Sequence, residues 1–454
     1  MTDTIFGTDG IRGLAGSGWL STDGTTQVGW AVGSALVQGN GGQSPIRALL
    51  AHDGRRSGPS LETALACGLS AAGITAESAG LLPTPGLAWL TKHDGYSLGI
   101  MVSASHNPAR DNGIKVFNGQ GDKLADDVQD RIEALLHGPS AEMDFPAAPR
   151  PKHSPILEAH YLKHLERTWG KDLDLNSLSI VIDCANGAGS RSGPKALGRL
   201  GAKVHAIADQ PDGENINKDC GSTHPQSLLA SVRSHKADLG IALDGDGDRC
   251  LLVDELGQLV DGDMIVMILA LHAQAQKKLK DSRIVATVMS NRGLHRALRD
   301  AGVGVVEVGV GDRNVVEALR REKLEIGGEQ SGHVILGERN DFIGDGMVCA
   351  LAVLRVMRET GKTLSELNSP FVTMPQVLLG VPVTSKPELT TIQGLSELMD
   401  ACSQELGEDG RILLRYSGTE NLARVMVEGQ DAQRIKVQAE EMAGVIRTAI
   451  GARG

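Results

Sequence analysis

Asp244-Gly245-Asp246-Gly247-Asp248-Arg249 sets three carboxylates at alternate positions of one glycine-loosened loop. Anions this close repel unless a cation sits among them, so the segment points to a hard divalent cation held by oxygen. An EF-hand calcium loop also begins Asp-x-Asp-x-Asp, and Glu255 stands at its twelfth position. Arg249, however, replaces the glycine that such a loop needs at its sixth, and Leu251-Leu252-Val253 reads as a strand. A solvated acidic turn is the remaining alternative. Mg²⁺ usually takes one or two carboxylates together with phosphate oxygens, which leaves room for one further anionic ligand.

A phosphoserine would meet that need, with about −1.5 to −2 charge and three acceptor oxygens. Ser103-Ala104-Ser105-His106-Asn107-Pro108 follows the apolar run Leu98-Gly99-Ile100-Met101-Val102 and precedes a basic segment ending at Lys115. Alone it reads as a polar turn punctuated by Asn and Pro. Beside the aspartate loop it supplies two candidate phosphoryl carriers, and the spacing does not choose between Ser103 and Ser105.

Three further loops carry chemistry. Phe6 to Gly13 combines Gly7, Gly10 and Gly13 with Thr8, Asp9 and Arg12, as expected where backbone approaches a ligand or makes a turn. Glu329, Ser331 and His333 alternate beside Gly328 and Gly332, a donor- and acceptor-rich surface of little bulk that suits sugar hydroxyls. Arg415-Tyr416-Ser417-Gly418-Thr419 offers a guanidinium, hydroxyls and backbone N–H groups to a phosphate that need not react. Arg424 is either a second cation there or an exposed surface arginine.

Alternating β and α elements place these loops. Strands are expected at 47–51, 97–102, 179–183, 238–243, 283–287 and 303–308, and helices at 61–69 (capped by Ser57), 128–136, 194–200 and 294–301. Such alternation predicts α/β domains with mostly parallel sheets, whose ligands gather past the carboxyl ends of the strands. The Pro-rich stretch from Gly138 to His153 reads as a linker, and a second break falls near Asn368-Ser369-Pro370 and Pro375. Beyond it an α+β module has strands at 411–415 and 423–427. Its last helix places Ile435, Ala439, Met442 and Ile446 on one apolar stripe, a core face.

At 454 residues the chain predicts about three domains, and 22% charged with 41% hydrophobic residues is ordinary globular composition. A net charge of −11 argues against sequence-independent nucleic-acid binding, and the longest strongly apolar run, 264–271, is far short of a bilayer span. Six scattered cysteines without Cys-x-x-Cys spacing argue against zinc and disulfides. Met1-Thr2-Asp3-Thr4 shows no basic region followed by an apolar core, so a cytoplasmic protein is expected.

Taken in order, Phe6–Gly13, Ser103–Pro108, Asp244–Arg249, Gly328–His333 and Arg415–Glu420 resemble the five motifs of the α-D-phosphohexomutase superfamily across essentially the whole chain. Gln330 within Gly-Glu-Gln-Ser-Gly-His looks like the glucosamine-phosphate branch, with phosphomannomutase/phosphoglucomutase as the alternative. A non-catalytic metal or sugar-phosphate binding protein would not need the serine loop. The chain departs from the family at Tyr416 and Asn421, where proline is common.

The resemblance implies a heart-shaped, four-domain architecture: related α/β domains at 1–150, 151–257 and 258–370 with mixed, mostly parallel sheets, and a C-terminal α+β domain at 371–454. It implies phosphorylation of Ser105, with Mg²⁺ held by Asp244, Asp246, Asp248 and that phosphate. His106, Lys115 and Arg12 match charge- or proton-handling positions. Arg249, Glu329, Ser331 and His333 match substrate-side positions, and Arg415, Ser417, Gly418, Thr419 and Arg424 match the distal phosphate clamp. The implied reaction exchanges α-D-glucosamine 6-phosphate and 1-phosphate through the 1,6-bisphosphate, feeding amino-sugar precursors of the cell wall. Glucosamine or glucose 1,6-bisphosphate is then the activator, and the partner is a small phosphosugar, with no nucleic acid and no membrane. The oligomeric state is left open, a homodimer included. Exclusion of water from such a site calls for a mobile fourth domain.

Overall fold

The structure, a computed structural model, describes residues 5–7, 9–39, 46–138, 145, 150–417 and 421–452. Contacts divide the chain into two compact units, 1–289 with 303–369, and 290–302 with 370–454.

The first unit holds three sheets built on one plan. In the first, β1 (Ile11–Leu14), β2 (Arg47–His52), β3 (Thr75–Leu81), β4 (Leu98–Val102), β5 (Asp111–Asn118) and β6 (Lys152–His153) lie in the order β1-β5-β4-β2-β3-β6. Strands β4, β2, β3 and β6 run parallel, whereas β5 returns antiparallel to β4 and β1 pairs antiparallel with β5. The second sheet has β7 (Ser179–Asp183), β8 (Lys203–Ile207), β9 (Leu239–Leu243), β10 (Cys250–Asp254) and β11 (Leu259–Val260) in the order β11-β10-β9-β7-β8, with β10 antiparallel to β9. The third has β12 (Arg283–Thr287), β13 (Gly304–Val308), β14 (Gly327–Gly328) and β15 (Val334–Ile335), with β15 antiparallel to β14.

Each sheet therefore has a parallel centre and one antiparallel return, and each motif loop is the connection that makes the return. The serine loop joins β4 to β5, the aspartate loop β9 to β10, and the Glu329 loop β14 to β15. All five residues of β4, β9 and β10 are buried, as expected for strands covered on both faces, so the loops leave a rigid base. The segment ending at Lys115 proves to be part of β5, which faces that lysine inward.

Two local expectations change. Ser57 does not cap the helix Gly58–Ala71: its backbone is already helical (φ −76°, ψ −12°) and its hydroxyl accepts instead from Asn112 Nδ2 at 2.8 Å. Pro59 in the first turn has no N–H that needs a cap. The helix expected from Pro194 starts earlier, at Gly189, and carries Pro194 inside it.

In the second unit, β16 (Gln376–Pro382), β17 (Arg411–Tyr416) and β18 (Leu422–Glu428) form an antiparallel sheet in the order β16-β18-β17. The helix Ala432–Ile450 covers it with Ile435, Ala439, Met442 and Ile446, all buried, so the apolar stripe is core. The helix Arg292–Asp300 belongs to this unit. Asn291 Nδ2 donates to Met374 O at 3.0 Å, and the buried Glu428 carboxylate receives Arg292 N at 2.6 Å and Arg411 Nε at 2.8 Å.

Candidate active site

The structure separates the two serines that sequence spacing leaves equivalent. Ser103 is fully buried, and its Oγ donates to Asp53 Oδ2 at 2.6 Å while accepting from Ser105 N at 2.8 Å. It is committed to the loop's own structure. Ser105 Oγ donates to Asp244 Oδ2 at 2.7 Å and lies 3.4 Å from His106 Nδ1. Ser105 has φ of +50°, a left-handed conformation that a β-carbon disfavours and that its surroundings must therefore enforce.

Asp244, Asp246 and Asp248 each present one carboxylate oxygen within 4.8 Å of the others. Asp246 Oδ1 is buried without a hydrogen-bond partner, and Asp248 Oδ1 has only long ion-pair contacts to His333 Nδ1 (3.6 Å) and Arg249 Nε (4.0 Å). Three carboxylates gathered this closely, two of them with an oxygen that accepts no hydrogen bond and none replaced by a thiolate or imidazole, fit Mg²⁺.

Electrostatics around the triad are sharply divided. Burial, then repulsion from Asp248 and Asp246, pushes the Asp244 carboxyl well above its ordinary range. For Asp248, burial acts in the same sense but is outweighed by Lys115, His333 and Arg249, which hold it well below. Lys115 donates to Asp246 Oδ2 at 2.6 Å and Asp248 Oδ2 at 3.2 Å. Burial opposes its charge, yet Asp246, Asp248 and Asp9 hold the ammonium above its ordinary value. Burial also opposes charge on His333, but Asp248 and Asp312 raise it to about 9. His106 is lowered to about 4 by burial, Arg249 and Arg12. The site thus holds a charged imidazole beside the carboxylates and a neutral one beside Ser105 Oγ.

A cavity of about 210 Å³ opens onto these groups, lined by Asp9, Ser105, Arg249, Glu329 and His333 among others. Glu329 is held by Gly311 N, which donates to its Oε1 at 2.8 Å, and Ser331 is exposed. Arg12 approaches from β1 with Nη2 3.0 Å from Asp9 Oδ2. Lys123 bridges Asp9 (2.8 Å) and Asp312 (2.7 Å). Asp248, Asp312 and His333 also line a second cavity of about 300 Å³.

In the second unit, Arg415 and Arg424 are cross-strand partners on β17 and β18, and burial with the repulsion of Arg424 lowers the Arg415 pKa. Ser417 is buried at the end of β17, and Lys386 Nζ donates to its carbonyl at 2.9 Å. Gly418 and Thr419 lie outside the described residues.

The sequence reading missed the groups that hold the serine loop. Arg55 and Asp53 were hidden in what looks like a plain Asp-Gly turn after β2, and Asn217 lies in a segment with no motif. Asn217 Nδ2 donates to Ser105 O (2.8 Å) and Asn107 O (3.1 Å), and Thr84 Oγ1 donates to Asp246 Oδ2. A buried-type spacing gives none of these away, because each acts across tens of residues.

Family models described as phosphoglucomutase/phosphomannomutase alpha/beta/alpha domains I, II and III match residues 3–142, 159–257 and 261–373, and the model of the C-terminal domain matches 378–445. The chain is 44% identical to a phosphoglucosamine mutase of Anaeromyxobacter sp., covering 98% of this chain and 96% of the relative. It is 43% identical to that of Syntrophotalea carbinolica, with 100% and 99% covered. Among solved structures, a phosphoglucomutase/phosphomannomutase family protein of Burkholderia thailandensis superposes with a TM-score of 0.79 at 24% identity, covering 99% and 98%. Aspergillus fumigatus N-acetylphosphoglucosamine mutase, in complex with GlcNAc-6P and magnesium, gives 0.68 at 20%, covering 98% and 96%. These two share the fold.

Proposed function

Because the chain belongs to the phosphoglucosamine mutase family of the α-D-phosphohexomutase superfamily, we propose that it interconverts α-D-glucosamine 6-phosphate and 1-phosphate with Ser105 as the phosphoryl carrier. The observation that carries this reading is the aim of Ser105 Oγ into the carboxylate triad, 2.7 Å from Asp244.

In the forward direction the phosphoryl group leaves Ser105 Oγ for O1 of glucosamine 6-phosphate, giving the 1,6-bisphosphate. The intermediate turns over, and its 6-phosphoryl returns to Oγ, releasing the 1-phosphate. The O1 proton must be removed in the first transfer and one supplied to the 6-oxygen in the second. His106, neutral and beside Oγ, can accept a proton, and the Lys115 and His333 cations, with His333 lining the cavity, can offset charge or donate. Asp244, Asp246 and Asp248 would hold Mg²⁺, which when bound supplies charge neutralisation for a loose phosphoryl-transfer transition state. Arg12 and Arg249 carry fixed positive charge at the same site. Glu329 and Ser331 read as partners of sugar hydroxyls, and Arg415, Ser417 and Arg424, with Gly418 and Thr419, as the clamp for the phosphate that is not reacting. Lys386 would add a cation to that clamp.

The division at 150, 257 and 370 gives the first domain two loops in this scheme and each of the other three domains one. A cytoplasmic setting is part of the same reading, in keeping with cysteines scattered along the sequence without Cys-x-x-Cys spacing. No helix among the described residues is long and apolar enough to cross a membrane.

The test is conversion of glucosamine, mannose and glucose phosphates with Mg²⁺ and a catalytic amount of sugar 1,6-bisphosphate. Preference for glucosamine phosphate is expected, and preference for mannose or glucose phosphate would replace the reading with the phosphomannomutase/phosphoglucomutase alternative.

A further inference from the structure

We propose that Arg55 is a positioning residue for phosphoryl transfer: it forces Ser105 into its left-handed backbone and so aims Oγ at the carboxylate triad, resting on the reading of Ser105 as the phosphoryl carrier. Arg55 is one of the largest fully buried side chains of the protein, and it lines neither of the cavities at the site. It therefore does not reach substrate, and its work is done on the loop.

Every N–H of its guanidinium is used. Nε donates to Asp53 Oδ2 at 2.8 Å, Nη1 to Pro108 O (2.5 Å) and Asp111 O (2.9 Å), and Nη2 to Ser105 O (3.1 Å) and Asn107 O (2.8 Å). Four of five donors thus end on main-chain carbonyls of the segment 105–111. A planar fork reaching four carbonyls is a geometry that lysine, with three donors on one atom, cannot reproduce.

The peptide units on both sides of Ser105 are fixed by this one ion pair and its neighbours. Asp53 accepts from Arg55 and from Ser103 Oγ, and Ser103 Oγ in turn accepts from Ser105 N, so the amide is held through Asp53. The carbonyls of Ser105 and Asn107, which Arg55 already engages, also accept from Asn217 Nδ2. Gly245 completes the fit, since a Cβ there would stand 2.5 Å from Ser105 O. A serine with φ of +50° is thus held by its amide, by its carbonyl and by contact with the aspartate loop itself. In a reaction that relies on in-line placement, displacement of the reacting oxygen by about 1 Å costs about 100-fold in rate.

The experiment uses the full-length, Ser105-phosphorylated protein with Mg²⁺, comparing wild type, Arg55→Lys and Asn217→Gly. Glycine is chosen at 217 because Asn217 itself has φ of +58°. Four quantities are read: kcat and KM for glucosamine 6-phosphate, hydrogen exchange of the peptide spanning 103–111, and, in Arg55→Ala as a further variant, restoration of kcat by guanidinium salt. The expected result for Arg55→Lys is a fall in kcat of about 100-fold, an unchanged KM, and faster exchange at 103–111, with guanidinium restoring part of kcat in Arg55→Ala. Should Arg55→Lys fail to fold, Asn217→Gly carries the test, with a smaller fall in kcat at unchanged KM and the same local rise in exchange. Wild-type kcat and exchange in a folded, phosphorylated Arg55→Lys or Asn217→Gly would overturn the clamp alone. Conversion by wild type without phosphate ever appearing on Ser105 would overturn the carrier reading, and the clamp with it.

Discussion

Ser105 Oγ donates a hydrogen bond to Asp244 Oδ2 at 2.7 Å although 139 positions separate them. The contact joins the loop after β4 to the loop after β9, each the turn from the last parallel strand of its sheet into the antiparallel return. Two repeats of one folding plan thus present their carboxyl-end loops to each other, one bringing a hydroxyl and the other the carboxylates.

The two serines are expected to separate under substitution. Ser105→Ala removes the oxygen that faces Asp244 and should abolish conversion while leaving the fold intact. Ser103→Ala leaves that oxygen but removes the bridge between Asp53 and Ser105 N, and should cost about 1–3 kcal/mol of stability. Urea denaturation of both variants, with a peptide mass map of the phosphate, checks this. Phosphate found on Ser103 would contradict it.

Lys115 is the internal counter-charge of the triad, buried against Asp246 and Asp248. Lys115→Met leaves those carboxylates without their ammonium, and should destabilise the protein in chelator by about 3–5 kcal/mol, the usual cost of removing one partner of a buried pair. Mg²⁺ should recover more of that loss in the variant than it adds to wild type. Equal stability of the two proteins in chelator would refute the assignment.

The triad itself predicts ligand-linked stability. Wild type should gain about 2.7 kcal/mol when free Mg²⁺ stands at about 100 times its dissociation constant. Asp246→Asn, which removes a charge from the residue whose Oδ1 is unengaged, should show a much smaller gain. Thermal melts across a Mg²⁺ titration read both, and an unchanged gain in the variant would count against the site.

These loops were legible in the sequence because acid, hydroxyl and glycine cluster within a few residues, and because each follows an apolar run that β4 and β9 turn into buried strands. Their supports were not. Arg55 acts on carbonyls about fifty residues away, which no local spacing records. The helix from Gly189 begins five residues before the expected Pro194, since Gly189, Ser190, Ser192 and Gly193 are weak helix formers that packing overrides. The choice of Ser105 over Ser103 needed the hydrogen bonds of both hydroxyls.

A pH effect is expected away from the active site. Burial raises the Glu62 carboxyl from 4.5 to about 8, with Ser78 Oγ donating to it at 3.0 Å. Between those values the folded state binds a proton that the unfolded chain has lost, so this group's contribution to stability falls as pH rises, by up to about 1.4 kcal/mol per unit. Glu62→Gln keeps an acceptor for Ser78 and has nothing to titrate. Urea denaturation from about pH 6.5, the ordinary histidine value, up to pH 8 should therefore show a weaker pH dependence in the variant than in wild type. Identical slopes would contradict the raised carboxyl.

The most direct test of the account follows the phosphoryl group itself. Protein incubated with glucosamine 1,6-bisphosphate labelled in its phosphates, with Mg²⁺ present, is digested and its peptides weighed, while conversion of glucosamine 6-phosphate is measured in parallel. The account predicts label on Ser105 that is lost to added glucosamine 6-phosphate, and neither label nor conversion in Ser105→Ala. Wild-type conversion by Ser105→Ala, or label on any other residue that passes to the sugar, would contradict it.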